Sequence, residues 1–156
     1  MEPQTAVPPD QRTASAKELL SEIHRSLTMG TENLTNALPK VRSKFLIREI
    51  TFQLEGYAAH TRQAVSLMGE YGMTPEKISL LRSLMAKGGM VLNTLSDSSD
   101  EHIAELICRS TNLGASRLAC TTDRLAYRGC DDHIVRFSRS VVAFERTGAD
   151  RAGEFV

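Results

Sequence analysis

Apolar residues return at spacings of three and four along most of the chain, and no stretch shows a convincing period of two. That periodicity puts side chains on one face of an α-helix, so the pattern predicts an all-α protein without a sheet. A first helix is predicted over residues 15–38. Its seam is Leu20, Ile23, Leu27, Gly30, Leu34 and Ala37, and Ser15 with Glu18 forms an S-x-x-E capping box at its start. Leu38-Pro39 ends it, because proline disfavours helical geometry in the residue before it. A second helix is predicted over residues 40–71, with Ile47, Ile50, Leu54, Tyr57, Ala64 and Met68 inward and Gly72 as its C-cap. The short connection makes the two antiparallel neighbours.

Thr74-Pro75-Glu76 reads as another helix start, with Thr as cap, Pro in first position and Glu near the positive end of the dipole. Residues 78–95 are apolar at Ile78, Leu81, Leu84, Met85, Met90, Leu92 and Leu95, broken by Gly88-Gly89. The segment is read as a crossover helix lying on the bundle or as a dimer contact. The alternative is a docking module (residues 75–95) for a membrane surface or a partner, for which Lys77, Arg82 and Lys87 supply few basic groups. Ser98 with Glu101 makes a second capping box. It opens a third helix whose inward stripe is Ile103, Ile107, Gly114, Leu118, Thr121 and Leu125, widened by Leu106 and Leu113. Arg128-Gly129 closes that helix. Asp131 or Asp132 caps a fourth, with Ile134, Phe137, Val141, Phe144 and Gly148 inward. Residues 1–14 carry three prolines and no apolar period, so they are expected to form a disordered tail before a single domain over residues 15–156.

The chain also echoes itself. Residues 24–34, HRSLTMGTENL, return as residues 108–118, CRSTNLGASRL, which pairs Arg25 with Arg109, Ser26 with Ser110, Met29 with Leu113, Gly30 with Gly114 and Leu34 with Leu118. Downstream, Leu54-Glu55 is echoed by Phe144-Glu145. A helical hairpin used twice accounts for both. Glycine inside a helix costs about 1 kcal/mol against alanine, so its recurrence predicts close helix approach at Gly30 and Gly114.

Composition narrows the function classes. At 156 residues, 41% hydrophobic, the chain can bury roughly two-thirds of its unfolded surface without metal or disulfides. Lys+Arg of 19 balance Asp+Glu of 19, so no global field draws nucleic acid, and the cluster Lys40, Arg42, Lys44 and Arg48 spreads over a solvated face. Aromatic residues are 5% with no tryptophan, which leaves little to stack on bases or sugars. No apolar run is long enough for a transmembrane helix, and the N-terminus lacks a signal-peptide core. Cys108, Cys120 and Cys130 lack CxxC spacing and fit a reduced, cytoplasmic setting with inert thiols. His24, His60, His102 and His133 lie on separate predicted helices without zinc spacing and read as surface residues; the alternative places His24 or His60 against Glu55 across the first hairpin.

Two helical pairs joined by a long crossover are the layout of the ferritin-like superfamily. EIHRSLTMGTENL, LEGY around Tyr57, MVLNTLSD at residues 90–97 and HIAELICRSTNLG resemble uncharacterised ferritin-like proteins of Firmicutes. The resemblance implies a ferritin-like four-helix bundle with a crossover helix between helices 2 and 3, from a bacterial cytoplasm. Where that superfamily holds a di-iron centre, one glutamate on each of two helices and Glu-x-x-His on each of the other two converge. Glu22, Glu55, Glu105 and Glu145 are the candidate carboxylates, one per helix, but Ala58 follows Glu55 and Gly148 follows Glu145 where the histidines belong. All four glutamates flank the apolar seams, so a solvated helix edge is favoured over an iron site. The expectation is therefore a non-catalytic binding or scaffolding bundle with no cofactor. A homodimer is expected through one helix face or the crossover, with Met29, Met68, Met85 and Met90 as adaptable contact surface.

Overall fold

The computed structural model describes residues 6–75 and 99–156. Among the described residues the chain is all-helical, with α1 at Pro9–Ala37, α2 at Lys44–Glu70, α3 at Asp100–Tyr127 and α4 at Asp132–Gly153. The expected crossover helix, its Gly88-Gly89 break, Met85, Met90 and nearly all of the 75–95 docking segment lie outside these residues.

Cross-bundle contacts fix how the helices run. Glu18 and Ser26 of α1 meet Arg124 and Gly114 of α3, so these two are antiparallel. Gly30 against Tyr57 pairs the C-terminal half of α1 with the middle of α2. Gln53 meets Gly148, and Tyr71 meets Asp131, so α2 and α4 are antiparallel as well. Thr122 against Ser138 and Cys108 against Gly153 set α4 antiparallel to α3. It follows that α2 and α3 run the same way. The described chain leaves α2 at one end of the bundle and enters α3 at the other, where Asp100 accepts from the Arg42 and Ser43 amides at 2.9 and 2.6 Å.

The seams form the core. Leu20, Ile23, Leu27, Leu34, Ile50, Tyr57, Met68, Ile103, Ile107, Leu118, Leu125, Ile134 and Val141 are all buried, each large apolar side chain contributing about 1.5–3 kcal/mol by leaving water. Met68 belongs to this core and offers no contact surface. Leu113, expected to widen the α3 stripe, stands 56% exposed, and Thr122 is buried more completely than Thr121.

Helix starts depart from the capping boxes. α1 begins at Pro9 and not at Ser15, so residues 9–14 are helical where a tail was expected. Proline suits the first helical position because its missing amide has no partner there anyway, and Asp10 favours the positive end of the dipole. Val7 anchors this entry by occupying the space a side chain on Gly129 would need. Ser15 is buried inside the helix, and Glu18 pairs with Arg124 at 2.6 Å. Leu38–Lys40 forms a 3₁₀ turn, and α2 starts at Lys44 behind Ser43, whose hydroxyl accepts from the Leu46 amide. Ser99 caps α3 by accepting from the His102 amide, while Ser98 lies outside the described residues. Gly72 and Gly129 take positive φ, 66° and 84°, at the ends of α2 and α3, the left-handed geometry that terminates helices.

Candidate functional site

Rings and glycines stack between the helix pairs in a fixed order. A Cβ on Gly30 would collide with the Tyr57 ring, and one on Gly56 would collide with Phe144. The two rings meet edge to face, centroids 4.9 Å apart at 79°. Phe144 also stacks on His60 at 4.5 Å, and the His60 Nδ1 lies 2.8 Å from the Gly56 carbonyl oxygen. His60 therefore faces α4 and not Glu55. The close approach expected at Gly30 is an aromatic ring laid on α1.

Gly114, its twin in the repeat, meets only the Ser26 hydroxyl at an ordinary 3.8 Å. Space remains there. It opens into a half-open pocket of about 160 Å³ between α1 and α3. The two copies of the repeat face each other across it: Arg25, Ser26, Met29 and Gly30 from one, Ser110, Leu113, Gly114 and Leu118 from the other. Tyr57 and Glu145 contribute from α2 and α4, and Glu22, Asn33, Thr111 and Arg117 complete the lining.

Glu145 is the chemical centre of this pocket. It is only 2% exposed, and the Ser26 hydroxyl donates to both its carboxylate oxygens, at 2.8 and 3.1 Å. Burial pushes its carboxyl up from 4.5 to about 7, and the Ser26 bond opposes part of that rise. Near neutral pH the group is therefore divided between acid and carboxylate. Burial, with the nearby Glu145 charge, raises the Tyr57 phenol well above its ordinary value, while a hydrogen bond with Thr111 acts the other way. Tyr57 is held as a neutral phenol and Glu145 is the group that titrates. At the pocket lining, Arg25 pairs with Glu22 at 3.6 Å, both about two-fifths exposed, so they largely neutralise each other.

The four candidate glutamates do not converge. Glu22 and Glu145 border the pocket, Glu55 is exposed on α2, and Glu105 binds Arg109 and His102 along its own helix at 3.6 and 3.7 Å. No group of three His, Cys, Asp or Glu side chains among the described residues is arranged to hold a metal ion. A solvated helix edge describes Glu55 and the half-exposed Glu22 and Glu105, but not Glu145. Its position carries a signal in the sequence: four after Val141 and three before Gly148, it lies on the buried stripe of α4. The downstream echo misleads here, because Glu55 falls off the α2 seam while Glu145 falls on its own. Ser26 and Tyr57 were legible only as repeat and seam positions.

Away from the pocket, the cysteines are all free thiols. Burial, with Asp131 beside it, pushes the Cys130 thiol up to about 11, which disfavours a reactive thiolate. Among the described residues, α2 leaves Phe45 74% and Phe52 54% exposed, with the Arg151 guanidinium 4.7 Å from the Phe52 ring centre. No described helix is long and apolar enough to cross a membrane. Comparison with protein-family models, curated proteins and solved structures finds no match to the chain.

Proposed function

We propose that the chain is a non-catalytic, ferritin-like bundle that binds a small ligand in the pocket between α1 and α3, in place of a di-metal centre. The observation that carries this reading is the pocket itself: both repeat copies line it, the space at Gly114 is left open, and a buried carboxylate borders it. The ferritin-like part is supported by parallel α2 and α3, the arrangement that requires one long crossover. Against a di-iron centre, the position three after Glu145 is Gly148, whose carbonyl accepts from the Gln53 amide at 3.0 Å. The sequence resemblance supports a bacterial, cytoplasmic setting. The exposed Phe45 and Phe52 support a homodimer through the outer face of α2, which light scattering tests: the F45S/F52S variant would be monomeric where the native chain is dimeric.

The binding reading is tested by thermal shift against small cations, anions and neutral molecules. Gly114→Leu, which extends a side chain into the pocket, serves as the blocked control. At least one class should raise the Tm of the native chain and leave the variant unmoved. If no class separates the two, the pocket is not a binding site. Stoichiometric iron in protein from iron-supplemented cells, lost in the alanine variant of Glu22, Glu55, Glu105 and Glu145, would replace this reading with the metal one.

A further inference from the structure

We infer that the ligand of this pocket is a small organic ammonium ion with a short apolar body, its charged head on the Glu145 carboxylate and its body against Met29, Leu113 and Leu118. The inference rests on the binding reading above and adds the chemical class.

Size comes first. A volume of about 160 Å³ is close to the roughly 150 Å³ cavity that accepts one benzene molecule. A half-open pocket of that size takes one small molecule, and a nucleotide or a peptide would lie mostly outside it. Charge comes next. The buried ionisable group on the wall is an acid, and its described hydrogen-bond donor is one hydroxyl shared between two oxygens. A carboxylate has about four acceptor positions, so most of its capacity is unused. An ammonium head brings three N–H donors and a countercharge, which together replace the water that burial removed. An anion would meet the buried Glu145 carboxylate, while the two lining cations stand at the solvated side, Arg25 paired with Glu22 and Arg117 exposed. The apolar share of the lining then selects a carbon body over a bare inorganic cation, which would leave Met29, Leu113 and Leu118 against empty space.

The test is calorimetric titration of the full chain at pH 8 with butylammonium, and with 1-butanol and butyrate as neutral and anionic partners of matched size. Butylammonium should bind the native chain at least roughly tenfold more tightly than either partner. Glu145→Gln, similar in shape, should erase that preference, and Gly114→Leu should abolish binding. Butylammonium binding no tighter than butanol, or unchanged by Glu145→Gln, overturns the ammonium assignment. The binding reading then survives only if butanol or butyrate saturates the native chain and not Gly114→Leu. If none of the three saturates the native chain, both fall together.

Discussion

The twin glycines of the repeat should respond to the same substitution with opposite signs. Alanine at either position removes the backbone-entropy cost of glycine in a helix, a gain of about 1 kcal/mol. At Gly114 the new methyl group meets only the Ser26 hydroxyl at 3.8 Å, so that gain survives. At Gly30 it lands on the Tyr57 ring. The ring has little room to retreat: it is 2% exposed, and its edge contact is Phe144, which itself fills the seat at Gly56. Overpacking of this kind costs about 1–3 kcal/mol, and the locked ring places it at the upper end. Gly30→Ala should therefore destabilise by about 2 kcal/mol net, and Gly114→Ala should stabilise by up to about 1 kcal/mol. Urea unfolding of the full chain, with unchanged slope, measures both. In a Tyr57→Ala background the Gly30→Ala penalty should vanish, which assigns it to the ring. Two changes of the same sign would refute the asymmetry between a filled seat and an open one.

Three further outcomes follow from particular residues. Glu145 titrates near 7 when folded and near 4.5 when not, so its contribution is neutral below about pH 4.5, turns unfavourable as pH rises from there and reaches its full penalty above 7; at about 1.4 kcal/mol per pH unit that penalty is about 3 kcal/mol. Glu145→Gln should thus match the native chain in stability at pH 4 and exceed it by up to that amount at pH 9; a pH-independent difference contradicts the burial. Thiol labelling of the folded protein should modify the exposed Cys120 readily and the buried Cys130 only on unfolding, which mass spectrometry resolves. Asp100→Ala removes the acceptor for the Arg42 and Ser43 amides and should cost about 1–2 kcal/mol in urea unfolding, whereas a change within error would make that junction incidental.

Much of the bundle was legible because three-four periodicity is a strong signal when one face of each helix is buried. Ile23, Ile50, Ile107 and Ile134 all sit where that period puts them. Helix starts were less legible. Pro8-Pro9 looks like a break, yet the chain uses the second proline as a first helical residue and fixes the segment through a Val7 contact far along the sequence. The pocket was half legible: the repeat marks its two walls, but nothing local tells that Tyr57 fills the space at Gly30 while the space at Gly114 stays open. That difference is tertiary. Glu145 could have been separated from Glu22, Glu55 and Glu105 by its place on the α4 stripe, and charge alone argued against putting it there.

The most direct measurement is carbon-13 NMR of the side-chain carboxyls in a glutamate-labelled chain, with Glu145→Gln to assign one resonance. That resonance should titrate near 7, apart from the other glutamates, and shift toward the ordinary carboxylate range when butylammonium is added. If the assigned resonance titrates near 4.5 with the rest and ignores the amine, there is no buried acid at the meeting point of the two repeats.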